Sequence, residues 1–117
     1  MDLKQLIEKN KEEIEKLKSQ SLEVIGVTVY KQDEDGNDLE GTGESYILRQ
    51  PRRHELSDAS RRSEGGRDPI AFSDHLVKCC VVAGDTKKMN NDAAYITALG
   101  EEMAGLMTKT RNVVKKL

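Results

Sequence analysis

The chain has 117 residues, enough for one domain. It contains no Trp, one Phe and three Tyr, and 34% of its residues are charged. We therefore expect a thin hydrophobic core that a partner or a second copy completes. The net charge of −2 gives no general argument for binding nucleic acid or an anionic membrane. No apolar run approaches the roughly 20 residues that span a bilayer, and the charged start does not have the pattern of a signal peptide. The adjacent residues Cys79 and Cys80 cannot form a disulfide with each other within a helix. We therefore expect a cytoplasmic protein.

A charged leading helix is predicted over residues 2–20, within a leading segment of residues 1–22. Its apolar residues follow heptad positions: Leu3, Ile7, Ile14 and Leu17. Asn10 fills the gap in this stripe, where a lone Asn often fixes the register of a coiled coil. Because so short a helix is marginal alone, it should pack on the helical hairpin predicted below for residues 68–117 or on a symmetry mate; the alternative is a frayed, partly disordered leader.

The rest of the chain, residues 23–117, is predicted to be one small domain that begins with a β-hairpin over 23–49. Alternating runs surround an acidic turn at 33–38, which is typical of two antiparallel strands. One apolar face of the hairpin is expected to lie against the helices: Ile25, Val27, Val29, Tyr46 and Leu48. The free edge could accept a strand from another chain.

A polar segment over 50–67 follows the hairpin. Pro51 favours the start of a short helix with Leu56 and Ala59 facing inward, and the pair Gly65-Gly66 is typical of a helix end or a hinge.

The remaining residues, 68–117, predict a two-helix hairpin. Asp68-Pro69 is a helix start, Gly84 a helix end, and a second helix is expected to begin near Asn91 and Asp92 and to run to the end of the chain. Its apolar residues alternate in steps of three and four: Ile96, Leu99, Met103, Leu106, Thr110, Val113 and Leu117. The predicted fold class is therefore α+β and mainly helical.

Two groups of residues could carry chemistry. The cluster from Arg49 to Arg67 could meet phosphates, but acidic residues interleave with it and no aromatic residue is available for base stacking. His75 and Cys79, one turn apart, are half of a zinc site or the start of a Cys–His dyad, but further ligands are lacking and Cys79 lies in an apolar run. We expect no enzyme activity, no cofactor and no metal.

A family resemblance rests on three stretches: residues 46–52 (Tyr-Ile-Leu-Arg-Gln-Pro-Arg), Asp68-Pro69 before an apolar helix that closes on residues 82–85 (Val-Ala-Gly-Asp), and Asp92 before a long final helix. Over residues 44–117 the chain resembles small tail assembly chaperones of long-tailed phages and prophages. The resemblance implies a mostly helical cytoplasmic protein of the bacterial host that coats the hydrophobic tape-measure protein and helps deliver tail-tube subunits, without cofactor or catalytic residue. The charged first helix is not part of this pattern.

The predicted function is non-enzymatic protein binding, with a tape-measure or tail-tube subunit as partner and a homo-oligomeric state. We predict that an apolar seam on the helical hairpin carries the binding: Leu76, Val77, Ile96, Leu99, Met103, Leu106 and Met107. Two alternatives remain at this point, a nucleic-acid-associated regulator that uses the arginine cluster and a structural oligomeric subunit.

Overall fold

The computed structural model describes residues 2–107 and 112–117. In these ranges the chain is an α+β fold with six helices and a three-stranded antiparallel sheet, which confirms the predicted class. The elements in chain order are α1 (Leu3–Lys9), α2 (Lys11–Ser19), β1 (Val24–Val29), β2 (Glu44–Arg49), α3 (Arg53–Arg62), α4 (Pro69–Cys80), β3 (Val81–Ala83), α5 (Thr86–Asn91) and α6 (Ala93–Met107).

Strand β2 is the centre of the sheet, with β1 on one side and β3 on the other. The predicted hairpin is confirmed, because β1 and β2 are antiparallel, with Ile25 opposite Leu48 and Val27 opposite Tyr46. Successive residues of a strand point to opposite faces, so these four share one face, and all four belong to the main core or pack against it.

Strand β3 corrects the prediction that the helix continues to Gly84. Helix α4 ends at Cys80, and Val81 has an extended backbone that pairs with β2. β-Branched Val81 and Val82 favour strand geometry, and the edge of β2 supplies their hydrogen-bonding partner. Gly84 instead ends the strand with φ of +130°, and a Cβ there would lie 2.3 Å from Cδ1 of Tyr46, so both conformation and space require glycine.

The leading segment forms two helices in place of the single predicted one. Asn10 closes α1, and its side-chain amide donates a 2.8 Å hydrogen bond to the carbonyl of Leu6. Asn10 therefore satisfies the end of a helix and does not occupy a continuous coiled-coil stripe. The buried residues also differ from the predicted heptad stripe. Leu17 of that stripe is buried, but Ile7 of the stripe is 42% exposed and its neighbour Leu6 is buried instead.

Helices α1 and α2 cover the sheet face opposite the main core. A Cβ on Gly26 would lie 2.8 Å from Cδ1 of Leu3, so the bare glycine permits α1 to lie close to β1. Ile47, which is opposite Gly26 in the register and only 1% exposed, is buried on this side. The leading helices thus pack on the β-hairpin, where the helical hairpin or a symmetry mate was predicted as their support, and the sheet has helices on both faces, where only one covered face was expected.

The other face of the sheet carries α4 and α6, and α3 packs against α4. Helix α3 confirms the predicted short polar helix. Ala59 is fully buried and Leu56 packs against the core, while Gly65 and Gly66, both with positive φ, follow the helix end.

The predicted final helix is shorter than expected. Helix α6 follows Asp92, as predicted, and is described as far as Met107. Val113 and Leu117 were assigned to the same helix, but their backbone is not helical and both are more than 80% exposed; Thr110 lies outside the described residues. The unpredicted helix α5 precedes α6, so residues 68–107 form a helix–strand–helix–helix unit and not a simple helical hairpin.

Candidate partner-binding groove

The predicted seam lies mostly inside the chain. Six of its seven residues are 9% exposed or less: Leu76, Val77, Ile96, Leu99, Met103 and Leu106. They face the sheet and one another because α4 and α6 pack on it together. Met107 is the seventh, and it is only partly buried. In this conformation a partner therefore reaches the rim of the seam and not its whole length.

An open groove between α4 and α6 contains the accessible part of this seam. Its volume is about 360 Å³, and the walls are mainly apolar. It is lined by Pro69, Ile70, Phe72, Ser73, Asp74 and Leu76 from α4, and by Thr97, Gly100, Glu101, Met103, Ala104 and Met107 from α6. Leu76, Met103 and Met107 of the predicted set line the groove, but Leu76 and Met103 belong to the core like the other four, so Met107 is the accessible member of the set.

Small residues on α6 shape the groove. Gly100 and Ala104 are one turn apart on the same helix face, and both line the groove. A Cβ on Gly100 would lie 2.1 Å from Oγ of Ser73, so the backbone of α6 lies directly against α4 at this point. Gly100 therefore permits the close approach of the two helices, and exposed Ala104, one turn further along α6, presents only a methyl group to the groove.

The rim of the groove includes residues that the sequence analysis did not select. Ile70, in the first turn of α4, is 73% exposed, and Phe72 is the only Phe of the chain. Each wall also carries one carboxylate, Asp74 on α4 and Glu101 on α6. Ile70 is seven residues before buried Val77, so the two lie on nearly the same face of α4, and helical spacing alone gave no signal that Ile70 is exposed.

The arginine cluster is not exposed as a whole, because Arg49 is buried. Its two terminal nitrogens donate 2.7 Å hydrogen bonds to the two carboxylate oxygens of Glu55, and Nη2 also donates to the carbonyl of Cys79 at 2.9 Å. The hydrogen bonds from Arg49 lower the pKa of Glu55, and the same contact raises the pKa of Arg49. Arg49 therefore joins β2 to α3 and to the end of α4, and is not available to phosphate.

The His75–Cys79 pair has hydrogen-bonding geometry but unsuitable electrostatics for a nucleophile. Nε2 of His75 lies 3.5 Å from Sγ of Cys79, yet burial raises the pKa of the Cys79 thiol and raises that of Cys80 to about 12. A nucleophilic cysteine needs the opposite shift. Within the described ranges, no three His, Cys, Asp or Glu residues are grouped as metal ligands.

Comparisons with known proteins give no relative of this chain. No family model, no curated protein and no solved structure matches it significantly. Among the helices that the structure describes, none combines the length and the apolar character that crossing a bilayer requires. The groove and its surroundings are therefore the basis for any functional conclusion.

Proposed function

We propose that this chain is a non-enzymatic protein-binding module of the cytoplasm, and that it acts as a tail assembly chaperone whose client is the tape-measure protein of a phage or prophage. The groove between α4 and α6 is the client site. The observation that carries the proposal is the mainly apolar lining of this groove, with the Ile70 side chain 73% exposed at its rim.

The chemistry of the groove favours an apolar helix as client. An amphipathic helix binds such a channel through apolar residues spaced along one of its faces. Met103 and Met107 line the channel on α6, and flexible methionine side chains adapt to clients of varied sequence. The resemblance of residues 44–117 to tail assembly chaperones points to the same kind of client.

The main alternative, a regulator that binds nucleic acid through its arginines, loses support from the packing of Arg49. Its guanidinium is engaged by Glu55 and the carbonyl of Cys79. Arg61 also pairs with a carboxylate, that of Asp58.

Co-expression with a phage tape-measure protein tests the proposal. We expect the native chain to keep that protein in the soluble fraction and to bind a peptide from its apolar helical region. Ile70→Asp should raise the Kd for the peptide by roughly 10- to 100-fold, because fully burying an isoleucine contributes about 1.5–3 kcal/mol.

The matched control is Ile7→Asp, the same substitution at a residue that is 42% exposed on α1. Since Ile7 is not among the residues that line the groove, this variant should bind the peptide like the native chain. Equal affinity of Ile70→Asp and the native chain would exclude the groove as the client site.

A further inference from the structure

Exposed apolar side chains are concentrated in two places. In the part of the chain that the structure describes, the four most exposed large hydrophobic residues are Ile70 at 73%, Val113 at 81%, Val114 at 91% and Leu117 at 110%. The first belongs to the rim of the groove, and the other three belong to residues 112–117, here named the tail segment. Ile70 extends the apolar walls of the groove, and the three apolar residues of the tail segment are close together in sequence, so each forms an apolar patch of the kind that marks an interaction surface.

From this distribution we infer that the groove of one copy binds the tail segment of a second copy. The tail segment reads Asn-Val-Val-Lys-Lys-Leu, so it combines three apolar residues with two lysines. The groove combines apolar walls with two carboxylates, Asp74 and Glu101. The apolar parts and the charges of the two surfaces are thus complementary.

The spacing of the tail segment fits this site. The tail segment is not helical in the single copy; in a helical turn formed on binding, residues at i, i+1 and i+4 lie within an arc of about 100°, which places Val113, Val114 and Leu117 on one side. Lys116 then flanks one edge of that arc and Lys115 the other. The groove has one carboxylate on each wall, so a lysine can meet a carboxylate on both sides when the apolar arc faces the floor.

Exchange of the tail segments between two copies gives a closed symmetric dimer. Each groove receives the tail segment of the other copy, so the groove and the tail segment of both copies are covered. The assembly therefore closes as a dimer and does not extend into a filament. The dimer shares the groove with the client of the proposed function. Tail binding and client binding therefore compete, and the client would enter by displacing the tail.

A charge-exchange experiment tests this pairing directly. One variant carries Asp74→Lys and Glu101→Lys, so that its groove is basic, and the other carries Lys115→Glu and Lys116→Glu, so that its tail is acidic. Each variant alone places like charges together, and sedimentation velocity should report at least about a tenfold weaker dimer for each. An equimolar mixture restores opposite charges at both contacts, and should recover affinity to within about threefold of the native chain.

Circular dichroism must give native helix content for both variants. If the basic-groove variant does not fold, Ile70→Ser replaces it, because this side chain is 73% exposed, and self-association should again weaken. A native chain that stays monomeric at high concentration, variants that dimerise normally, or a mixture that does not recover would each overturn the inference. A tail that folds back on its own groove gives the first of these results.

Client binding separates this inference from the proposed function. The variant Val113→Ser, Val114→Ser, Leu117→Ser leaves the groove intact, so it should lose self-association and still bind the tape-measure peptide. Peptide binding without any dimer in the native chain would overturn the inference alone, whereas a dimer without peptide binding would overturn the proposed function alone.

Discussion

The contact between Arg49 and Glu55 is the strongest polar interaction of the core. Both side chains are nearly buried, at 11% and 9% exposure, and two parallel hydrogen bonds join them. The backbone N–H of Arg52 also donates to Glu55, at 2.8 Å, so the carboxylate caps the start of α3. Removal of one partner leaves the other charged and without its counter-ion inside the protein.

Glu55→Gln should therefore lower the free energy of unfolding by roughly 3–5 kcal/mol at neutral pH. Because Arg49 holds the pKa of Glu55 below its ordinary value of 4.5, the ionised pair adds stability above that value. This contribution is lost as the pH falls through the lowered pKa. Urea unfolding from pH 7 to pH 3 measures the difference between native and variant; it should shrink on acidification, and a difference independent of pH would contradict this account.

Sequence analysis grouped Arg49 with the exposed arginines because nothing local marks it as buried. Its position in β2 was predicted, but its partner carbonyl belongs to Cys79, 30 residues later. That contact depends on how α4 packs at the end of the sheet. Ala59 and Leu56, by contrast, follow helical spacing from Pro51, and their inward positions were predictable.

At the scale of elements, local sequence patterns predicted where most helices and strands begin, but they did not predict how far each helix continues. The starts of α4 and α6 follow signals that lie beside them, such as Asp68-Pro69, and the hairpin follows from alternation. The switch from α4 to β3 after Cys80 depends on the distant edge of β2. The break of the leading helix at Asn10 likewise depends on packing, since α1 and α2 both pack on the sheet.

Leu17→Ala tests whether the leading helices belong to the fold. Leu17 is 4% exposed on α2, which packs on β1, so we expect a loss of about 2–5 kcal/mol in the free energy of unfolding. Ile7→Ala is the matched control on α1, where a 42% exposed side chain should cost less than about 1 kcal/mol. Thermal or urea unfolding gives both values. Equal small losses would mean that α1 and α2 contribute little to the stability of the sheet.

The described part of the molecule is a sheet between two helical layers. This arrangement explains why most residues of the predicted seam are buried in the core. The heptad-like spacing of α6 correctly identified apolar residues that pack against another element, but spacing cannot tell an internal neighbour from an external one. The sheet and α4 occupy that position for Leu99 and Leu106. What remains accessible is the groove, which residues of two separate helices, α4 and α6, line together and which no single stretch of sequence encodes.

Methyl NMR of the methionines tests the central claim that a client binds this groove. Met107 and Met103 line it, whereas Met89 is 1% exposed on α5 and is not among the lining residues, so it is an internal control. On titration with the tape-measure peptide, we predict that the Met107 methyl signal shifts most, that Met103 shifts less, and that Met89 stays in place. A saturable interaction that moves Met89 and leaves Met107 unchanged would contradict the account.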